Sequence, residues 1–143
     1  MIKSILLGLV ALLFVACGGN TPKNNQLSSG SAETKTQSMD TSTVNVYYFH
    51  GKQRCKTCIA VGEVTEKSIK ELYAGNPLVK FTEVKTDETQ NASLVEKYEV
   101  TWNALIIAKG NDHIEITQEA FANALNNSEK LTDLIKSEVD KRL

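Results

Sequence analysis

The sequence predicts an α/β fold with a central mixed four-stranded sheet flanked by helices, and three observations predict it. An abrupt run of β-branched and aromatic residues, Val44-Asn45-Val46-Tyr47-Tyr48-Phe49, is apolar enough for a strand covered on both faces. Segments of helical and strand character alternate after it, as in parallel strands joined by a crossover. Two later apolar runs flank a Gly-Asn turn and add an antiparallel hairpin.

The elements follow in order. His50-Gly51-Lys52-Gln53-Arg54 is a polar turn, and Cys55 to about Ala74 reads as a helix with Ile69, Leu72 and Tyr73 on one face and Gly75-Asn76-Pro77 as its stop. Leu78 to Thr86, with alternating Val79 and Phe81, is a second strand. Thr89 to Tyr98 is a short helix packing through Leu94, Val95 and Tyr98. Ala104–Ala108 and His113–Ile116 flank Lys109-Gly110-Asn111-Asp112 as a hairpin. Phe121 and Leu125, four apart, mark a terminal helical region. A cap at Asn126-Asn127 then leads to Leu131, Leu134, Ile135 and Val139 at i, i+3, i+4 and i+8. No internal repeat or second domain is evident.

Residues 1–42 do not belong to this domain. Lys3 followed by the apolar run Ile5–Ala16 has the form of a signal peptide, and the run is short for a membrane span, which needs about 20 apolar residues. Phe14-Val15-Ala16-Cys17 resembles a bacterial lipobox of the Bacteroidetes type, with Phe at its first position instead of the commoner Leu. The resemblance implies that residues 1–16 are removed and that Cys17 is the lipidation site. Two or more acyl chains suffice for stable anchoring. An uncleaved anchor, or a secreted protein with an incidental Cys17, is the alternative. Residues 17–42 are rich in Asn, Ser, Thr, Gln, Gly and Lys, and they read as a flexible, disordered tether spanning roughly 25–30 Å. The folded domain is then residues 43–143.

Sixteen Lys and Arg against 17 Asp and Glu give a net charge of −1 in a chain of 143 residues, so no basic field points to nucleic acid. The three cysteines divide into Cys17 and one close pair, too few for a disulfide-stapled scaffold.

Cys55-Lys56-Thr57-Cys58 places two sulfurs one helical turn apart at a helix N-terminus, where unsatisfied N–H groups and the helix dipole favour a thiolate. Lys52, Arg54 and Lys56 add positive charge with no acid close in sequence. Cys55 is expected to be the attacking thiol, titrating below the free-cysteine value of about 8.5, and Cys58 the buried resolving thiol. Two other readings of the pair are a zinc half-site and an inert structural disulfide. The chain has no second CxxC and only His50 and His113 to complete a metal site, and a four-residue loop restricts the unfolded chain little. His50 either ends the strand or moves a proton. Trp102 either packs beside the site or touches substrate, and packing is the favoured reading. The chemistry calls for no metal and no cofactor.

Over residues 43–143 the order strand, CxxC helix, strand, helix, hairpin and terminal helix resembles thioredoxin, which implies a thioredoxin-like fold. Lys85-Thr86-Asp87 leading to Leu94-Val95-Glu96-Lys97-Tyr98-Glu99-Val100 resembles the passage before thioredoxin's active-site proline loop. More narrowly, Tyr47-Tyr48-Phe49-His50-Gly51 running into Arg54-Cys55-Lys56-Thr57-Cys58, with Ile116-Thr117 before the terminal helices, resembles small thioredoxin-like proteins of Bacteroidetes and other bacteria. Some of these are named as the nitrophenyl-compound nitroreductase subunit ArsF family.

The chain departs from thioredoxin at three places. Arg54 replaces the usual tryptophan, Phe49 stands where a buried acid assists proton transfer, and Val100-Thr101-Trp102-Asn103-Ala104 lacks the cis-proline that faces the cysteines, the only prolines being Pro22 and Pro77. A non-proline cis bond costs roughly 2.5–4 kcal/mol, so a trans peptide is expected at Asn103 or Ala104. The expected function is a thiol-disulfide oxidoreductase of the cell envelope, lipid-anchored, periplasm-facing and exchanging electrons with a protein thiol or redox-protein partner. An accessory electron-transfer subunit of a nitroaromatic-type reductase system and a metal-binding thioredoxin-like module are the alternatives.

Overall fold

The computed structural model of the chain describes residues 41–143. The expected leader, the expected lipidation site Cys17 and the expected tether as far as residue 40 lie outside them. The elements are β1 (Val44–His50), α1 (Lys56–Leu72), β2 (Val79–Lys85), a 3-10 turn (Thr89–Asn91), α2 (Ala92–Lys97), β3 (Ala104–Lys109), β4 (Asp112–Glu115), α3 (Thr117–Asn123) and α4 (Ser128–Asp140).

The sheet order is β2-β1-β3-β4. β1 runs parallel to β2 and antiparallel to β3, which pairs antiparallel with β4. An interior position explains why the β1 sequence is apolar on both faces. Val44, Val46 and Tyr48 face a core built with Val61 and Ile69 of α1, Ala120 of α3 and Leu131, Ile135 and Val139 of α4. Phe49, with Tyr47 beside it, faces a second core closed by Leu94, Val95 and Tyr98 at α2. Each fully buried aliphatic side chain contributes about 1.5–3 kcal/mol of transfer free energy.

The chain's turns follow its punctuation. Gly110 takes a left-handed φ of 59° in the β3–β4 turn, and Asn127 Oδ1 accepts from the Lys130 N–H to cap α4. Two sequence expectations need correction. α1 ends at Leu72, short of Ala74, with Tyr73 as its C-cap; Leu72 is 38% exposed, and only Ile69 and Tyr73 of the expected trio pack inward. Tyr73 instead fastens α1 to α4, its hydroxyl donating to Asp140 Oδ1 at 2.7 Å. Leu125 is likewise exposed, because α3 stops at Asn123 and the turn into α4 carries it outward.

Candidate functional site: the start of α1

The turn 51–54 carries the chain from the end of β1 to Cys55, whose extended backbone (φ −74°, ψ 166°) makes it the N-cap of α1. Its Sγ accepts a hydrogen bond from the Cys58 N–H at 3.1 Å, filling the role that a Ser or Asp oxygen usually plays. Cys55 and Cys58 form a disulfide with their Cα atoms 5.0 Å apart. Cys55 is exposed while Cys58 is 4% exposed, so the first cysteine is open to solvent and the second is not. No acidic residue occupies the first turn of α1. If the bond opens, the N–H that caps the helix stands ready to stabilise a Cys55 thiolate.

Lys52 and Lys56 are exposed around the pair, but Arg54 is not a bare cation. The sequence shows no acid close to it, and the fold supplies one. Glu83 of β2 stands in parallel register with Tyr48, and its Oε1 lies 2.8 Å from Arg54 Nη1. Arg54 Nη2 donates to the Cys58 carbonyl at 3.2 Å, and its guanidinium carbon lies 5.6 Å from the Tyr48 ring centroid. The Tyr48 hydroxyl donates to the same carbonyl at 2.7 Å. Burial raises the Tyr48 phenol above its ordinary pKa although Arg54 pulls it down, which keeps the hydroxyl a donor. Gly62 completes the setting, since a Cβ there would stand 2.6 Å from Arg54 Nη2 and 3.2 Å from the Tyr48 ring.

His50 is the last residue of β1 and is buried. Its Nδ1 contacts the Gly51 carbonyl at 2.8 Å, and because a carbonyl only accepts, Nδ1 carries a proton in that contact. Its Nε2 lies 3.3 Å from Glu83 Oε1, the oxygen that also pairs with Arg54.

From the loop before β3, Asn103 reaches the pair, its Nδ2 lying 3.9 Å from Cys58 Sγ. Ala104 does not, being buried at the start of β3 opposite Phe49. Trp102 corrects the packing expectation, since it is 81% exposed beside Asn103. All peptide bonds among the described residues are trans. Phe49, where the resemblance places an acid, is fully buried in the second core. Among the described residues no three His, Cys, Asp or Glu side chains are grouped to hold a metal ion.

Tyr48, Glu83 and Gly62 were not singled out by sequence reasoning. The alternation of β1 puts Tyr48 on the face of His50, but no local signal leads to Glu83, which the parallel register alone brings to this place.

With this geometry in view, comparison with solved structures finds human ERp44 in its zinc-bound form, a thioredoxin-fold protein, at a TM-score of 0.52 and 16% identity, covering 74% of this chain and 29% of that one. The fold is thioredoxin-like. A structure described as that of a malarial protein aligns at 26% identity and a TM-score of 0.47, covering 67% of this chain and 97% of its own. No protein-family model and no curated protein matches the sequence.

Proposed function

We propose that this chain is a thiol-disulfide oxidoreductase working through Cys55 and Cys58, anchored to a membrane of the cell envelope by a lipid on Cys17. One observation carries the redox reading: an exposed N-cap sulfur accepts the Cys58 N–H and is disulfide-bonded to a buried sulfur behind it. An inert staple has no need of an exposed, helix-capping first sulfur, whereas an attacking thiol needs both properties.

The reaction on the oxidised pair runs as follows. A partner thiolate attacks Cys55 Sγ, the Cys55–Cys58 bond breaks, and Cys58 leaves as a thiolate that takes a proton. The partner's second thiol loses its proton and attacks the partner sulfur of the mixed disulfide, expelling Cys55. The partner is oxidised by two electrons and the pair reduced by two, and the reverse sequence delivers electrons to a partner disulfide. The partner is a protein with a redox-active thiol pair. Its place in a nitroaromatic-type reductase system rests on the resemblance of Tyr47–Gly51, Arg54–Cys58 and Ile116-Thr117 to the ArsF family.

Two measurements test the proposal. Wild-type protein should accelerate disulfide exchange with a protein substrate and Cys55→Ser should not, equal rates refuting the redox reading. The mature protein should partition with membranes and yield an acylated N-terminal Cys17 peptide by mass spectrometry. The same acylated product from Cys17→Ser would refute the anchor.

A further inference from the structure

The geometry points to Glu83 as a positioning residue that, through Arg54, sets how readily the Cys55–Cys58 pair takes up electrons. The inference rests on the redox reading above. Arg54 follows the turn and immediately precedes Cys55, yet its side chain folds back under the helix start, where it is 24% exposed. Four contacts hold it there: Glu83 Oε1 at 2.8 Å, the Cys58 carbonyl at 3.2 Å, the Tyr48 ring, and a cleft that exists because Gly62 has no Cβ. Three of the four do not involve Glu83. Removing the Glu83 charge therefore leaves the guanidinium in place but uncompensated, bonded to the carbonyl of one cysteine and adjacent in sequence to the other.

Two glutathione molecules reduce the disulfide, each giving one electron and one proton, and leave as glutathione disulfide. Where Cys55 stands as a thiolate, one of those protons passes to solvent. A positive charge at the helix start favours that thiolate, stabilises the reduced form and draws the exchange toward dithiol. Glu83 opposes this by cancelling the Arg54 charge. A partly exposed ion pair carries enough energy for a shift of about two- to fivefold.

The test uses the full chain as wild type, Glu83→Gln, Arg54→Gln and the double variant. Each is equilibrated in glutathione buffers, quenched by alkylation and read by the mass of the Cys55–Cys58 peptide. Glu83→Gln should move the equilibrium constant about two- to fivefold toward dithiol. Arg54→Gln should move it the other way, and the double variant should match Arg54→Gln, because Glu83 acts through Arg54. An unchanged constant in Glu83→Gln, or a shift toward disulfide, overturns the inference. So does a Glu83→Gln effect that persists in the Arg54→Gln background, which would assign it to the His50 contact. If Glu83→Gln does not fold, Glu83→Asp, whose shorter side chain weakens the pair, should shift the constant toward dithiol by less, and no shift overturns the inference equally. The measurement needs only a pair that opens and closes in buffer. Identical constants in all variants would therefore leave the redox reading standing, while failure to accelerate exchange with a protein substrate would refute that reading and leave these constants measurable.

Discussion

Replacing Gly62 with alanine sets two opposing effects against each other at the site itself. In the interior of an exposed helix the change stabilises by about 0.8–1 kcal/mol, because glycine loses more backbone freedom on folding. Here the new methyl would stand 2.6 Å from Arg54 Nη2 and 3.2 Å from Tyr48 Cε1. The ring can give by a few tenths of an ångström, but the guanidinium must leave. It would lose a charge-assisted hydrogen bond to the Cys58 carbonyl, about 1.5–3 kcal/mol, its stack on Tyr48, about 0.5–1 kcal/mol, and its pairing with the partly exposed Glu83, about 0.2–1 kcal/mol. Rehydration of the freed guanidinium returns part of this, and the expected net destabilisation is about 1–2 kcal/mol. Urea unfolding of the oxidised protein reads it as a lower midpoint at unchanged slope. On an Arg54→Ala background the same Gly62→Ala change should become stabilising by about 0.5–1 kcal/mol. A single variant more stable than wild type would refute the reasoning, as would equal destabilisation in both backgrounds.

Two further outcomes are expected. The Lys141 hydrogen bond, and after it that of Arg142, hold the Glu138 carboxyl below the usual carboxylate range despite its burial. Its folded pKa lies below its unfolded one, so its contribution is present above about pH 4.3 and lost as pH falls through the folded value. Glu138→Gln should destabilise by about 1–2 kcal/mol at pH 7, with a shallower loss between about pH 5 and 3 in acid unfolding, and parallel acid profiles would contradict it. Glu99, between α2 and β3, holds a left-handed φ of 51°, and Glu99→Gly should raise the urea midpoint by about 0.5–1 kcal/mol of stability, a lowered midpoint contradicting the assignment of strain.

What the sequence made legible was periodic or local. The Val44–Phe49 run is apolar on both faces because β1 is interior, and Leu131, Ile135 and Val139 recur at helical spacing because α4 buries one stripe. The difference in burial between the two cysteines was also local, since the N-cap Cys55 is exposed and Cys58, one turn later, is buried. Helix ends were less legible. Leu72 ends α1 on its exposed side and Leu125 lies past the end of α3, and periodicity registers neither. Trp102 was misread because residue type says how apolar a side chain is, not whether a neighbour covers it. The Arg54–Glu83 pair was out of reach because it depends on strand register, which joins residues far apart in sequence.

The central claim is that Cys55 attacks and Cys58 resolves, and trapping the mixed disulfide tests it most directly. With Cys58 replaced by serine, the chain has no thiol of its own to displace a partner bound to Cys55. Cys58→Ser incubated with a disulfide-containing protein should therefore accumulate a covalent adduct, which mass spectrometry of the peptide containing Cys55 locates, and Cys55→Ser should accumulate far less through the buried Cys58. Adducts forming equally in both variants, or faster at Cys58, would contradict the account.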